Sequence, residues 1–261
     1  MSGVGVKPFY EEDGIVIYHG DCREILPSLD PVAAVVTDPP YGDTSLDWDQ
    51  PVKGWLDLVD APQVWCFGSM RFWLEHGGDF REGWKYGQEI VWEKHNGSGF
   101  HADRFKRVHE IAVHWYRGEW RKLHIEPVTT QDAVKRTMRR KRRPTHMGHI
   151  ETSAYASEDG GPRLQRSVIY VRSEQGRAVH PTQKPLGILS PLIRYSVSRA
   201  DVVLDPFMGS GSTLVAARDS GRLAIGIETQ ESYCTIAAER LAQATMVIDE
   251  TADLPVQELA Q

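Results

Sequence analysis

Four times along this chain a short apolar run of strand length ends at, or just before, a carboxylate. Gly14–Tyr18 precedes Asp21, Val32–Val36 delivers Asp38, Val202–Leu204 leads into Asp205, and Leu223–Ile227 stops at Glu228. Runs of this kind suit strands buried on both faces. Further strands are predicted at Gln63–Phe67, Glu89–Trp92, Ile111–Tyr116 and Val168–Val171. Helices are predicted near Cys22–Leu26, with Asp21 as cap, from about Met70, at Leu186–Val197, around Thr213–Asp219 and at Glu231–Ala244. Such alternation predicts an α/β fold with a mostly parallel central sheet. In sheets of this type ligands sit outside the carboxyl ends of the strands, so the four acids should gather along one edge.

The late pair of strands carries a tight glycine turn. Asp205-Pro206-Phe207-Met208 runs into Gly209-Ser210-Gly211 and then a helix. Small residues there let backbone approach a ligand closely. Glu228 ends the next strand about 20 residues on, where a carboxylate can accept from ribose hydroxyls. A dinucleotide turn wants a third glycine at 214, where this chain has Leu214. Asp205 is also a poor neighbour for pyrophosphate and a good one for an ammonium group. A ligand with a ribose, an ammonium and a sulfonium but no phosphate fits better, which favours S-adenosylmethionine over NAD.

The early string Asp38-Pro39-Pro40-Tyr41 suits a different task. An aryl amine is a weak nucleophile because its lone pair is delocalised into the ring. A carboxylate and a carbonyl accepting its two N–H bonds draw the nitrogen toward tetrahedral geometry and stabilise positive charge as a methyl group arrives. Asp38 and the Pro39 carbonyl supply that pair, and the prolines fix the backbone direction. Tyr41 offers an aromatic face, worth about 1–3 kcal/mol of stacking. A base inside a duplex cannot reach this geometry, so it must be flipped out.

The formal net charge of −6 looks wrong for a partner of DNA until it is mapped. Arg104 to His146 holds 13 lysines and arginines against 4 acids, a local +9 that leaves −15 on the remainder. The run Lys135, Arg136, Arg139, Arg140, Lys141, Arg142 and Arg143 dominates a stretch from about Gly118 to Arg166 in which apolar periodicity fades. A concentrated basic segment on an acidic body is a footprint for a polyanion, with Arg and Lys able to neutralise phosphates and reach guanine edges. A solvated basic loop is the competing reading. The predicted organisation is a catalytic domain from 1–117 and 167–246, an inserted basic segment at 118–166 and an acidic C-terminal tail at 247–261.

Taken together, Gly20-Asp21, Asp38–Tyr41, His180-Pro181-Thr182-Gln183-Lys184-Pro185, Asp205–Thr213 and Gly226-Ile227-Glu228 resemble the DNA amino-methyltransferases of adenine N6 and cytosine N4. The order, catalytic string first and cofactor turn last, is similar to their β group, and the likeness spans roughly Gly14 to Leu241. The resemblance implies a class I S-adenosylmethionine-dependent methyltransferase fold, Rossmann-like, with residues 118–166 as the target-recognition segment. It implies that Asp38, Pro39 and Tyr41 form the target-base pocket. Asp205, Phe207, Gly209, Gly211, Ser212, Thr213 and Glu228 would hold the cofactor, Asp21 and Cys22 would lie against its adenine, and Thr182 and Lys184 would approach its methionine end. An Asp at the start of the catalytic string favours adenine N6, with cytosine N4 as the alternative. A homodimer on double-stranded DNA is the expected assembly, suited to a palindromic site.

Several classes are disfavoured. Cys22, Cys66 and Cys234 are widely spaced and never in a metal or redox pair, and the ten histidines show no metal-ligand spacing. A reducing cytoplasm fits such a chain, and no segment approaches the roughly 18 apolar residues of a membrane helix. Cytosine C5 methylation needs a thiol nucleophile, and no cysteine follows a proline. No nuclease constellation is evident, which suits a modification enzyme, orphan or beside a restriction partner. A catalytically silent DNA-binding regulator is the alternative from another class. Trp48 and Asp49, after Tyr41, are candidates to order over a flipped base, and Arg107-Val108-His109-Glu110 is given no chemistry.

Overall fold

The computed structural model describes residues 6–44, 46, 49–98, 102–139, 154–174, 176 and 183–251. In chain order its elements are β1 (Tyr10–Glu12), β2 (Ile15–His19), α1 (Cys22–Ile25), β3 (Ala34–Thr37), β4 (Gln63–Gly68), α2 (Met70–Arg81), β5 (Lys85–Ser98) and β6 (Arg107–Tyr116). There follow β7 (Thr129–Thr130), β8 (Arg136–Arg139), β9 (Ala154–Ser157), β10 (Arg163–Leu164), β11 (Val168–Tyr170) and α3 (Leu186–Ser196). The chain closes with β12 (Val202–Asp205), α4 (Ser212–Asp219), β13 (Leu223–Glu228) and α5 (Glu231–Thr251).

Among the described residues nine strands form one sheet, in the order β1-β2-β13-β12-β3-β4-β6-β5-β11. Its centre, from β2 through β13, β12 and β3 to β4, is parallel throughout. Beyond β4 the direction reverses, with β6 antiparallel to both β4 and β5. Both faces are covered, which explains the unbroken apolar runs. Ala34 and Val36 pack with Ile188, Ile193, Leu214 and Ala237 of α3, α4 and α5, whereas Val35, Val64 and Cys66 pack with Ile25 of α1 and with Phe72 and Phe80 of α2. A one-residue slip in β3 would exchange these two sets.

Local chemistry sets the helix starts. Asp21 caps α1 by accepting from Arg23 N at 2.8 Å, and Ser69 caps α2 by accepting from Phe72 N at 3.1 Å. Gly211 begins α4 at φ 76°, and a side chain there would also place its Cβ 2.8 Å from the Ala237 Cβ. At Gly226 a Cβ would fall 2.4 Å from the Met208 sulfur, so this residue lets the Pro206–Met208 turn lie on β13.

Several boundaries differ from the sequence reading. β5 and β6 form a longer hairpin than Glu89–Trp92 and Ile111–Tyr116, because polar residues outside the core extend the pairing as far as Ser98 and Arg107. β3 starts at Ala34, α5 continues past Ala244 to Thr251, and β1 was not anticipated.

The described residues divide into two compact units, one drawn from Met1–Ile125 and Ser167–Gln261, the other from Glu126–Arg166. Gly118 to Ile125, read from sequence as the start of the insertion, group with the larger unit. Within the smaller unit β7 pairs with β10 and β8 with β9, both antiparallel. Arg163 and Asp132 form an ion pair at 2.9 Å, and Lys135 and Glu158 one at 3.1 Å. No described helix is long and apolar enough to cross a membrane.

Candidate active site

Parallel pairing puts the carboxyl ends of β2, β13, β12 and β3 side by side, and all four acids that follow them line one cavity of about 630 Å³. That volume is in the range of small-molecule sites. Adjacent elements are tied across this edge. Gly20 N donates to the Glu228 carbonyl at 2.9 Å, and Thr37 Oγ1 donates to Asp205 Oδ1 at 2.7 Å.

On the β12–β13 side the cavity is acidic and hydroxyl-rich. Asp205 is 3% exposed and also accepts from Phe207 N at 3.1 Å. Burial lifts its carboxyl to about 6, against the donors from Thr213, Thr37 and Phe207 N that hold it down. Glu228 accepts from Gly209 N at 3.1 Å through one oxygen and from Gln230 N at 2.8 Å through the other. Burial raises it too, and those backbone donors offset part of the rise. An ionised carboxylate has about four acceptor sites, so Glu228 keeps capacity for hydroxyl donors. Arg240 of α5 fastens the turn from behind, reaching Ser210 Oγ at 3.1 Å and Ser212 Oγ at 3.2 Å. Phe207 sets its ring edge-on to Trp55, with centroids 5.3 Å apart. Asp21, besides capping α1, is held by the Arg23 guanidinium, which keeps its carboxyl below the usual range.

On the β3 side the Asp38–Tyr41 string turns into the same cavity. Tyr41 donates its hydroxyl to Asp38 Oδ1, and its ring packs on Phe72 with centroids 5.1 Å apart. Lys184 donates to Asp38 Oδ2. Burial and the nearby Glu110 raise Asp38, while Lys184 draws it back. The turn is locked by Asp49, whose carboxylate accepts from Tyr41 N at 2.8 Å, Gly42 N at 2.9 Å and Thr44 N at 2.7 Å. Asp49 thus braces the catalytic string from within the cavity wall. Trp48 lies outside the described residues.

Lys184 is not aimed at the acidic side of the cavity. Its ammonium is committed to Asp38 and to Glu110, the latter at 3.2 Å. Glu110 also accepts from Lys94. Sequence reasoning missed Lys94, and it gave Glu110, at the end of Arg107-Val108-His109-Glu110, no chemistry. Their only signal was a pair of opposite charges in two strands, Lys94 two residues after Trp92 and Glu110 one before Ile111.

Burial disfavours the thiolate form of all three cysteines. Burial pushes Cys22 and Cys234 up to about 12, and Cys66, fully buried behind Asp38, is raised well above its ordinary value. Cys22 and Cys66 are both buried, and Cys22 lines the cavity. Among the described residues no cluster of His, Cys, Asp and Glu has metal-binding geometry. His114 lies in the core, stacked on Trp65, and burial lowers it to about 4.

Of the remaining sequence-derived site residues, Gly209, Ser212 and Thr213 line the cavity, while Gly211 shapes the turn. Thr182 lies outside the described residues. So do Arg140, Lys141, Arg142 and Arg143 of the basic run, whereas Lys135 precedes β8 and Arg136 and Arg139 are its ends.

A sheet of this topology, with an acid-lined cavity across the carboxyl ends of β2, β13, β12 and β3, defines a class I methyltransferase-type α/β fold. Comparison with known proteins gives the family. A family model described as DNA methylase, of the N6/N4 methyltransferase kind, matches residues 32–239, and the chain belongs to that family. It is 28% identical to the type II methyltransferase M2.DpnII of Streptococcus pneumoniae, over 90% of this chain and 92% of the relative. It is 27% identical to the type II methyltransferase M2.LlaDCHI of Lactococcus lactis subsp. cremoris, with the same shares covered, 90% and 92%. Among solved structures it resembles the M1.HpyAVI–SAM complex at 26% identity and a TM-score of 0.58, covering 86% of this chain and 98% of that one. The cytosine-N4-specific PvuII DNA methyltransferase, at 17% identity and a TM-score of 0.60, shares the fold.

Proposed function

We propose that this protein is a site-specific DNA methyltransferase acting on the N6 amine of an adenine flipped out of double-stranded DNA. The cofactor is S-adenosylmethionine, which supplies an electrophilic methyl group on a sulfur that leaves with the bonding electron pair. The observation that carries the reading is that Asp38 and the Asp205–Glu228 edge line one cavity.

The donor set suits this cofactor. Glu228 has acceptor capacity for ribose hydroxyls, and Asp205, buried and lifted to about 6, gains from a cationic neighbour. Lys184, which lines the cavity, is committed to Asp38 and Glu110 rather than to a phosphate. Gly209, Gly211, Ser212, Thr213 and Phe207 shape the turn, with Asp21 and Cys22 at the far end of the same edge.

Asp38 and the Pro39 carbonyl accept the two amine N–H bonds, which localises the nitrogen lone pair for attack. The nitrogen gains a bond to carbon, and the surplus proton leaves through Asp38. Tyr41 fixes the Asp38 carboxylate through its hydroxyl and presents its ring to the base. No covalent nucleophile takes part. Residues 118–166, with Lys135, Arg136, Arg139, Arg140, Lys141, Arg142 and Arg143, select the DNA site, and a homodimer would read a palindrome, which sedimentation in solution tests.

Incubating the protein with unmodified DNA and labelled cofactor, then digesting to nucleosides for mass identification, tests the reading. N6-methyladenine in wild type and none in Asp38→Ala is expected. N4-methylcytosine overturns the adenine assignment, and no methylated base overturns the enzyme reading in favour of a silent DNA binder.

A further inference from the structure

Asp38, Lys184, Glu110 and Lys94 form a row of alternating charge, with side chains 19%, 8%, 15% and 14% exposed. The row runs from the Asp38 end of the cavity into β6 and β5, elements that carry nothing in the scheme above. Lys94 rests its ammonium 4.5 Å from the Trp92 ring centroid, and Lys184 lies 5.2 Å from that of Phe67. Both cations are thus walled by aromatic faces and held to the line of carboxylates.

The two bonds to Lys184 are unequal. Its ammonium hydrogen-bonds Asp38 Oδ2, whereas Glu110 Oε2 pairs with it at 3.2 Å without an aligned hydrogen bond. Glu110 Oε1, by contrast, is filled by Lys94. A buried carboxylate oxygen without a donor is costly, and it persists when some other state of the site supplies one. Asp38 meets the opposite difficulty. Each Asp38 oxygen already accepts one donor, from Tyr41 and from Lys184, so an incoming amine must share its oxygen with one of them.

Resting on the methyltransferase reading, we propose that Glu110 is a positioning residue that takes Lys184 over from Asp38 when the acceptor amine docks, with Lys94 holding Glu110 ready. The ammonium moves one hydrogen bond along the row, from Oδ2 of Asp38 to Oε2 of Glu110. The freed Asp38 oxygen accepts the amine N–H with its full negative charge, which is what the developing cation requires. No proton is transferred and the row stays neutral. Glu110 is suited to receive the ammonium because it remains ionised. Burial would raise it, but Lys184 and Lys94 bring it to about 2.

Among the described residues, the charged and titratable groups on the Asp38 side of the cavity include Tyr41 of its own turn, Cys66 of β4, Lys94 of β5, Arg107 and Glu110 of β6, Lys184 before α3 and Asp205 of β12. Tyr41 and Cys66 are raised and stay neutral; Glu110 raises Asp38, Lys184 and the Tyr41 hydrogen bond lower it, and Lys94 bears on it through Glu110.

Steady-state methyl transfer to unmodified duplex DNA, measured across pH, tests this with Glu110→Gln, Lys94→Met and the conservative Glu110→Asp. Glu110→Gln should lower kcat by roughly 10- to 100-fold, leave the cofactor Kd unchanged, and move the acid limb of kcat to lower pH because a negative charge near Asp38 is gone. Lys94→Met should move that limb to higher pH, since Glu110 then acts on Asp38 less compensated. Glu110→Asp should restore the wild-type limb. Limb shifts of opposite sign are not produced by loss of folding. An active wild type whose Glu110→Gln form keeps its kcat and limb overturns the handover alone, as does a shift of the same sign in both variants. A wild type that methylates nothing overturns the underlying reading instead.

Discussion

Thr37 donates its hydroxyl to Asp205 over 2.7 Å, joining the strand that delivers Asp38 to the strand that opens the glycine turn. Both groups are buried, Thr37 at 1% and Asp205 at 3% exposure, so water cannot replace the bond. Its loss should be felt on the cofactor side first. Thr37→Val keeps the shape of β3 and removes one of the donors that hold Asp205 down, so its carboxyl rises above about 6. Cofactor affinity at pH 7 should fall about tenfold, the equivalent of roughly 1.4 kcal/mol, and recover toward pH 9. Calorimetric titration at the two pH values checks this, and a loss that is the same at both contradicts it.

Asp205 itself trades stability for binding. Its folded value of about 6 lies above the ordinary carboxylate value of 3.8. Between those values the folded state holds a proton that the unfolded chain has lost, so stability falls as pH rises through this window and stays low above it. Asp205→Asn removes the penalty. The cofactor-free variant should melt higher at pH 8 by about 5 °C, on a gain of about 2 kcal/mol, and show no gain at pH 4. It should also bind cofactor poorly. Melting curves at the two pH values decide the point.

How much of this was readable beforehand follows from chain distance. Asp21, Asp38, Asp205 and Glu228 could be assigned to one edge because each follows its own apolar run, a pattern local to a few residues. The Gly209–Gly211 turn was legible for the same reason. Asp49 was noticed but its bracing of the turn was not, because a carboxylate that accepts three backbone N–H groups leaves no periodic trace. Lys94 escaped entirely, and Glu110 was singled out only as the end of Arg107-Val108-His109-Glu110, with no chemistry given. The hairpin that brings them together reads as two shorter strands, since its outer residues lack apolar alternation. Lys184 lies 146 residues from Asp38, so only the strand order brings them into contact.

Asp49 makes the next prediction. Burial would raise its carboxyl, yet Thr44, Gly42 and Tyr41 donate strongly enough to bring it below the ordinary value. A depressed carboxylate contributes stability that is present above its unfolded value and lost as pH falls through the folded one. Asp49→Ala leaves three backbone donors without their acceptor. It should destabilise the protein by about 1–3 kcal/mol at pH 7, and by less as pH falls below the ordinary carboxylate value. Its kcat should drop because Tyr41 loses its anchor, while cofactor affinity stays within about twofold, since Asp205 and Glu228 are untouched. A variant that loses cofactor binding as severely as turnover would show that the turn supports both halves of the cavity.

The basic run gives a prediction that needs no side-chain geometry. Lys135, Arg136, Arg139, Arg140, Lys141, Arg142 and Arg143 concentrate seven cations within nine residues of a chain whose formal net charge is −6. Each phosphate contact contributes a slope of about −0.9 in log affinity against log salt. Replacing Arg139, Arg140, Arg142 and Arg143 by glutamine should therefore weaken DNA binding at low salt and flatten that slope by up to about 3.6. Cofactor affinity should be unaffected, because Asp205, Glu228 and the glycine turn are left unchanged. An unchanged slope would place the DNA footprint elsewhere. A flattened slope with altered site preference would show that the same arginines also touch bases.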